Sequence, residues 1–396
     1  MNKTISALAL SALTAAAQAA SLLAPGAHDQ VPAALVHTQA PGASALERAP
    51  VRVSHALDAS AAIDTAIKPY VAQSREFWSE VDENELRAGM KFTTTAPGAL
   101  VRLSPQGGAR AALDPAGVLI RSGGKSLRAD ANAIADTRAL RAAGMDVTDG
   151  TLAMRLSPVA GRGQLEIAAP HAHGRYLVHV FDPNSAVVLA FAADRDTVLV
   201  GSTVTFHAAI DGRDLKHASG LVTAPDGFSA DLKFSRNADG SFSARFTPDA
   251  AHAIGPQLWE AHVFTATNDG KLGVLRDAKT AFAVSAPIAH LAGAAESHSD
   301  ASGVHATFDI EAGAASRFQI TGVLYGTASD GALRPIALAQ SAAWLDAGNG
   351  GIGLGFDADI VAASGLHAPF EVRDLRLVDQ ATMSLIERRE RGLVVN

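Results

Sequence analysis

The chain has 396 residues, no cysteine and a formal net charge of −7. The absence of cysteine excludes a disulfide framework and a thiol nucleophile, so stability must come from buried cores of ordinary domain size. The acidic balance, with no cluster of lysine and arginine, predicts that nucleic acid is not a partner.

Residues 1–19 have the pattern of a cleaved export signal. Lys3 precedes an apolar run, and Ala17-Gln18-Ala19 supplies the small residues at alternate positions that signal peptidase accepts. We therefore expect an exported protein, periplasmic or extracellular, whose mature form begins at Ala20. The run is shorter than a membrane span, and no later run is longer without charges or glycines, so the sequence predicts no membrane span.

The next segment, residues 20–69, is rich in Ala, Pro and His without a sustained period. This composition predicts a flexible leader, with one candidate strand near residues 51–57. Farther along, Asp82 lies three residues before Glu85, the spacing of a helix cap, and Gly89 is placed to end the short helix. The acidic cluster is therefore interpreted as a helix start.

Residues 70–192 form the first predicted module, which is β-rich with short helices. A helix is expected from about 132 to 143, where Gly144 follows. The strand Arg175–Phe181 is apolar on both faces, which predicts a central, buried position that includes His179.

Two further modules, residues 193–286 and 287–396, show short alternating strands and Asn/Asp/Gly turns that are typical of immunoglobulin-like β-sandwiches. The predicted fold is thus all-β, with three tandem sandwich modules. Each module holds one tryptophan, and we interpret these as core anchors. They are Trp78, Trp259 and Trp344.

Several stretches resemble an exported bacterial family known as domain of unknown function 4785. The resemblance implies an N-terminal β-rich domain followed by tandem immunoglobulin-like domains, in a modular and non-enzymatic protein, and it supplies no catalytic residue. The stretches are Phe77-Trp78, Ala96-Pro97-Gly98-Ala99-Leu100-Val101-Arg102, Tyr176-Leu177-Val178-His179-Val180, Asp182-Pro183-Asn184-Ser185, Asp239-Gly240-Ser241-Phe242, Trp259-Glu260-Ala261-His262-Val263-Phe264 and Gly353-Leu354-Gly355-Phe356.

Histidines are the first candidates for a metal site. His171 and His173 could point to one side of an extended segment, with His179 a few residues on, and neutral imidazole is a good zinc ligand. No carboxylate at a metalloprotease spacing accompanies them. The competing interpretation is a loop between Pro170 and Gly174, with His179 as a core residue.

A second candidate metal site is a calcium loop at Asn237 and Asp239, where Ser241 continues the alternate oxygen spacing. The position of the closing Glu is Pro248, so the motif is incomplete, and turns rich in Asn, Asp and Gly give such matches often. At this loop the candidate ligand is calcium. The sequence predicts no organic cofactor.

The run Gly348-Asn349-Gly350-Gly351-Ile352-Gly353 satisfies the dinucleotide-binding pattern G-x-G-x-x-G. That pattern requires a helix after the glycines, whereas here apolar residues alternate with glycines as in a strand. We interpret the run as the start of a strand.

The leading hypothesis is an exported, non-enzymatic binding or display protein that recognises a protein or a glycan through sheet edges, sandwich faces or end loops. The alternative is an accessory or catalytic component of a secreted hydrolase with a metal site in the first module, near His171, His173 and His179. A structural spacer is the third hypothesis.

Overall fold

The computed structural model describes residues 18–38, 42–64, 68–107, 113–127, 134–158, 161–253 and 255–396. Most of the predicted export signal, residues 1–17, lies outside the described residues. The described chain forms three β-sandwiches in tandem, which confirms the all-β prediction, and an N-terminal segment that contributes strands to two of them. Three strands come from this segment: β1 (Gln18–Ser21), β2 (Val51–Ala56) and β3 (Ala72–Ser74).

The first sandwich is built from two sheets, A and B. Sheet A has the strand order β4-β12-β6-β10-β9 and sheet B the order β5-β11-β7-β8. Their elements are β4 (Glu76–Val81), α1 (Glu83–Ala88), β5 (Met90–Thr94), β6 (Leu100–Gln106), β7 (Leu119–Ser122), β8 (Lys125–Leu127), β9 (Ile134–Ala135), α2 (Thr137–Ala142), β10 (Leu152–Arg155), β11 (Gly163–Ala168) and β12 (Arg175–Phe181).

Helix α1 begins where the sequence predicts. The Asp82 side chain accepts hydrogen bonds from the backbone N–H groups of Asn84 and Glu85, and the Gly89 N–H donates to the Glu85 carbonyl at the other end. The cap satisfies amide groups that a helix start otherwise leaves without partners. Helix α2 is shorter than predicted, because Asp136 caps it and β9 occupies the residues just before.

The second sandwich has the strand order of an immunoglobulin domain. Sheet C runs β18-β19-β15-β13-β3, and sheet D runs β14-β21-β20-β16-β17, with β14 parallel to β21. Its own strands are β13 (Leu189–Ala193), β14 (Thr197–Leu199), β15 (Val204–Ile210), β16 (Leu215–Thr223), β17 (Ser229–Leu232), β18 (Ser235–Arg236), β19 (Phe242–Phe246), β20 (Trp259–Asp269) and β21 (Leu272–Ser285).

The second sandwich starts before the expected boundary at residue 193. Strand β13 pairs with β15, and its side chains Leu189 and Phe191 are fully buried in the second core. The same strand pairs with β3, so Ala72–Ser74 also belongs to this sandwich although it precedes the first one in sequence.

The third sandwich repeats the immunoglobulin order and adds two N-terminal strands. Sheet E runs β1-β22-β23-β26, and sheet F runs β2-β25-β24-β27-β28. Its elements are β22 (Ala289–Asp300), β23 (Gly303–Ala312), β24 (Ser316–Thr327), β25 (Leu333–Leu345), β26 (Gly348–Asp357), α3 (Ala358–Ala363), β27 (His367–Asp379) and β28 (Ser384–Val395).

The segment expected to be a flexible leader is instead laid along the third sandwich. β1 pairs with β22, and β2 pairs with β25 over its whole length. Ala43 is buried in the third core, and Leu22 and Val36 pack against that core. The candidate strand near residues 51–57 is present as β2. The prediction of a flexible leader failed for the rest of the segment because the partners of these residues lie hundreds of positions away, where no local period reveals them.

The three tryptophans do not share one environment. Trp259 is buried in the second core against Phe246 and Phe282, as predicted. Trp78 is half-buried and does not belong to the first core, so the interpretation as a core anchor is wrong for it. Trp344 is also half-buried but packs against the third core.

We expect Trp259→Ala to lower the free energy of unfolding by about 3–5 kcal/mol, because it removes a fully buried aromatic side chain and leaves a cavity. Its neighbour Leu258 is 59% exposed and gives the matched control. Leu258→Ala should change stability by less than about 0.5 kcal/mol. Urea unfolding of the full chain, followed by circular dichroism, measures both; equal effects would contradict the core assignment.

Candidate functional site

The outer face of sheet A carries a row of three large side chains on neighbouring strands. In the strand register Trp78 of β4 lies opposite His179 of β12, and His179 lies opposite Arg102 of β6. Residues directly opposite one another in antiparallel strands have neighbouring side chains on the same face. Beyond Arg102 the row continues with Ala153 and Ala135, whose small side chains leave the surface low beside the guanidinium.

The three side chains form a stack that is partly buried. The rings of Trp78 and His179 are nearly parallel, with an interplanar angle of 8° and 3.8 Å between centroids. The guanidinium carbon of Arg102 lies 4.9 Å from the centre of the Trp78 ring, within the range of a cation–π interaction. We call Trp78, His179 and Arg102, with Glu76, the aromatic row.

Glu76 fixes the orientation of the imidazole. His179 Nε2 donates a hydrogen bond to Glu76 Oε2, with 2.8 Å between the two atoms. This bond holds the pKa of the Glu76 carboxyl below its ordinary value. Burial acts to raise that pKa, whereas the charges of His179 and Arg102 lower it further. The row is therefore rigid and mixes an aromatic surface with fixed charged groups.

Arg102 differs from His179 in lacking a strong partner. Burial lowers the pKa of its guanidinium, and the charge of Glu76 offsets only part of that effect. Its Nε atom is buried and makes no hydrogen bond to the described residues. Arg102 Nε is thus a buried donor without a partner among the described residues.

The second sandwich forms the other side of the site. Asp277 of β21 accepts a hydrogen bond from the Trp78 backbone N–H through Oδ2, over 2.9 Å. His262 Nε2 lies 3.6 Å from the same carboxylate oxygen, and the His262 ring contacts Phe264 at 4.1 Å between centroids. The edge of sheet A at β4 therefore meets the outer face of sheet D, and the aromatic row lies beside this junction.

A buried ion pair locks the two sandwiches together. Arg276 of β21 and Asp182, the residue after β12, each expose 1% of their side chains, with 3.4 Å between Arg276 Nη2 and Asp182 Oδ2. Asp182 Oδ2 also accepts hydrogen bonds from the backbone N–H and the hydroxyl of Thr95, each with a donor–acceptor distance of 2.7 Å. Arg276 donates to the Ser185 hydroxyl and to the Val187 carbonyl.

The lock lies on the turn Asp182–Ser185, one of the stretches that carry the family resemblance. Burial lowers the pKa of Arg276, and the neighbouring Asp182 carboxylate raises it. Because Asp182 and Arg276 belong to different sandwiches, neither can be paired unless the two sandwiches hold one relative orientation. That orientation in turn places His262 and Asp277 next to Trp78.

The histidines predicted as a metal site do not converge. His173 is exposed and contacts Arg87 and Glu83, and His171 is an exposed residue of the same turn. His179 lies in the middle of β12, about 20 Å along an extended chain from His173. It is also on the outer face rather than in the core, because Trp78 covers it instead of a second sheet. Among the described residues, no group of three or more His, Asp or Glu is arranged to hold a metal ion.

The predicted calcium loop is closed by its own hydrogen bonds. Asp239 Oδ1 accepts from the backbone N–H and hydroxyl of Ser241, and Asn237 Oδ1 accepts from the Ser243 hydroxyl. The first of these bonds hold the pKa of Asp239 below its ordinary value. The side-chain oxygens stabilise the turn between β18 and β19, which is the ordinary role of Asn and Asp at such positions.

The glycine run at 348–353 opens strand β26, as the sequence predicts. Gly353 of this run, and Gly355 just after it, make room for a side chain of the N-terminal segment. A Cβ at Gly353 or Gly355 would lie 3.3 Å from atoms of Arg52, a residue of β2. The glycines thus serve the packing of β2 across the sandwich edge.

Sequence reasoning missed Glu76, Arg102 and Asp277 as members of one site. Arg102 lies within a stretch that carries the family resemblance, and Trp78 and His179 lie within two others, so the resemblance was the available signal. No pattern in the sequence linked Asp277, in another sandwich, to Trp78.

Two family models match the chain. The model described as Domain of unknown function (DUF4785) N-terminal domain matches residues 42–182, and the model described as Domain of unknown function (DUF4785) C-terminal domain matches residues 288–396. No curated protein matches. Among the described residues, no helix has the length and apolar character needed to cross a membrane.

Solved structures are similar to the chain in fold. A DUF4785 family protein from Legionella pneumophila aligns with a TM-score of 0.73 and 19% identity, over 92% of this chain and 98% of that one. A tetra-tandem repeat from the extending region of a large adhesion protein aligns over 77% of this chain and 74% of that one, at 15% identity and a TM-score of 0.16, too low to support any argument. The first alignment shows a shared three-sandwich fold.

We expect Arg276→Ala to destabilise the protein by about 3–5 kcal/mol, because it leaves Asp182 buried without its counter-charge. Arg236 is the matched control, since it pairs with Asp214 at 2.7 Å on the exposed surface. Arg236→Ala should cost less than about 1 kcal/mol. Denaturant unfolding of both full-length variants tests the difference, and similar costs would show that the junction is not a lock.

Proposed function

The chain belongs to the DUF4785 family, a domain of unknown function, and we propose that it is an exported binding protein that recognises a glycan at the aromatic row. The observation that carries the proposal is the partly buried stack of Trp78, His179 and Arg102 on the outer face of sheet A, held in place by Glu76. Binding sites for small molecules and saccharide units are lined by aromatic surface with a few fixed polar groups.

A sugar ring matches this surface chemically. One face of a pyranose is lined by C–H groups, which pack on an aromatic ring, while its hydroxyl groups need donors and acceptors at fixed positions. Trp78 supplies the aromatic ring, Arg102 supplies donors, and the Glu76 carboxylate keeps acceptor capacity beside the His179 imidazole. The low surface over Ala153 and Ala135 leaves space for a second sugar unit.

The site is also rigid, which favours the binding of a ligand that makes few contacts. Its polar side chains are oriented by one another, and the Asp182–Arg276 pair fixes the neighbouring sandwich. A preorganised site loses less conformational entropy when a ligand binds. A glycan is favoured over a protein partner because the row is short and mixes single charged groups with one stack, rather than presenting a broad apolar surface.

Export is supported by the sequence of residues 1–19. Ala20, the expected first residue of the mature chain, lies in β1 opposite Ala295. Cleavage after Ala19 therefore leaves half of that strand in place.

We expect N-terminal sequencing of the protein recovered from the periplasm or the medium to give Ala20 as the first residue, because signal peptidase accepts Ala17 and Ala19. Replacing Ala19 by Asp should block cleavage and leave the full-length chain in the membrane fraction. Recovery of exported protein with Met1 intact would overturn the export assignment.

We expect Trp78→Ala to lower binding to an array of neutral and uronic-acid oligosaccharides by about tenfold or more, equivalent to about 1.4 kcal/mol. Trp344→Ala is the matched control, because Trp344 is also half-buried and also contacts an arginine, Arg48, at 4.2 Å. Trp344→Ala should bind as the unchanged protein does. Circular dichroism of both variants confirms that they are folded.

The proposal fails if no oligosaccharide binds the unchanged protein, or if Trp78→Ala and Trp344→Ala bind alike. Retained capture of a protein partner after enzymatic removal of its glycans would also overturn it, because the aromatic row would then recognise polypeptide. Arg102→Gln refines the result. It keeps a neutral donor, so a selective loss of uronic-acid ligands would assign the guanidinium to a carboxylate.

A further inference from the structure

The N-terminal arm, which we define as residues 20–38 and 42–57 because residues 1–19 are the expected export signal, wraps around the third sandwich. β1 extends sheet E beside β22, and β2 extends sheet F beside β25. Between them the arm crosses β28, where Gln30 and Arg388 exchange backbone hydrogen bonds of 3.0 and 2.8 Å. The arm therefore occupies an edge of each sheet, where an open strand would otherwise present unpaired amide groups.

Many contacts between the third sandwich and the arm are hydrogen bonds to the backbone of the arm. Arg317 Nη1 donates to the carbonyls of Glu47 and Ala49, at 2.6 Å from each oxygen. Arg389 Nη1 donates to the Leu23 carbonyl, at 3.0 Å from the oxygen. These charge-assisted bonds recognise an extended chain at three separate points. Strand addition at a sheet edge uses the same main-chain hydrogen bonding.

Other contacts are specific to the sequence of this arm. The Gln30 side-chain amide donates to the Leu385 carbonyl, and the Arg48 guanidinium lies over the Trp344 ring. Ala43 is buried in the third core. An unrelated extended peptide would match the backbone bonds but not these side-chain contacts.

The arm is joined to the rest of the molecule by an exposed segment. Residues 58–62 are largely exposed, and Tyr70 and Val71 before β3 are exposed as well. Extended, the stretch between β2 and β3 can span on the order of 50 Å. After β3 the chain enters the first sandwich, so the arm and the sandwich it completes are linked through two other folded units.

We infer that the third sandwich is a strand acceptor that binds either its own N-terminal arm or, in its place, the arm of a second copy of the chain. A copy's arm makes identical contacts, so the closed monomer and the arm-exchanged dimer differ mainly in the effective concentration that the connecting segment provides. The partner is the same polypeptide because the contacts of Gln30, Ala43 and Arg48 select this sequence. The inference is independent of the glycan site.

Single-cysteine variants of the full chain test the exchange, since the natural chain has no cysteine. Val53 of β2 lies opposite Gln340 of β25. Val53→Cys and Gln340→Cys proteins are mixed at high concentration in mild urea, returned to buffer and treated with a short bis-maleimide. A covalent dimer of the two variants can form efficiently only when the arm of one copy lies on β25 of the other.

The expected result is a mixed dimer at least about tenfold more abundant than with Val53→Cys and Leu258→Cys, whose second cysteine is exposed and far along the chain from β25. The double variant Val53→Cys, Gln340→Cys reports the closed form and should cross-link within one chain. Failure of the double variant would show that the arm does not lie on β25. Efficient internal cross-linking with no mixed dimer above control would show that the arm does not exchange. Either result overturns the inference.

A loosened arm should exchange faster. A Cβ at Gly313 would lie 2.6 Å from the Val36 carbonyl oxygen, whereas a Cβ at Gly351 meets only ordinary contacts of 3.5 Å or more. In the Gln340→Cys background, Gly313→Val should therefore raise the rate of mixed-dimer formation, and Gly351→Ala should leave it unchanged. Equal rates in the two variants would count against exchange at this surface.

Discussion

The relative placement of the first two sandwiches depends on one buried ion pair. A carboxylate and a guanidinium that are both removed from water are costly unless they meet with good geometry and further hydrogen bonds. Asp182 and Arg276 come from different sandwiches; Thr95 donates to Asp182 Oδ2 and Ser185 accepts from Arg276, while Asp182 Oδ1 is buried without a partner among the described residues. The pair therefore acts as a condition on the whole molecule, because any other orientation of the sandwiches leaves two buried charges unpaired.

The aromatic row depends on this condition although it is outside the lock. Trp78 donates its backbone N–H to Asp277, the residue next to Arg276 on β21. The strand that carries the locking arginine thus also supports the first residue of the stack. A sheet face that would be an ordinary solvated surface in an isolated sandwich becomes one wall of a junction, with aromatic rings, a carboxylate and a free guanidinium donor in defined places.

The sequence predicted the elements whose evidence is local. The short alternating strands predicted within residues 193–286 are present, as at Val204–Ile210, and Asp82 starts a helix, because side-chain period and capping are set within a few residues. It did not predict β1, and it gave β2 only as one candidate strand inside an expected flexible leader, because both strands form against partners more than 250 residues away. Strand formation there is a tertiary effect.

The candidate site was predictable only in part, for a related reason. The strand Arg175–Phe181 is apolar on both faces, but its sequence does not say whether a second sheet or a single neighbouring ring covers the outer face. Trp78 provides that cover, so His179 is in a surface stack and not in the core. His171, His173 and His179 are neighbours in the sequence, yet an extended strand separates the last from the others by several residue lengths.

The arm has a consequence for the order in which the chain acquires its structure. The arm is synthesised before the two other sandwiches, and it completes the third sandwich, which is synthesised after them; one hydrogen bond joins positions 366 residues apart. The third sandwich must find its arm across a loop that contains two other folded units, and contacts of such long range form slowly. Until then a growing chain carries an unattached strand at one end and, later, two open sheet edges at the other. The third sandwich is therefore complete only when residues from both parts of the described chain have come together.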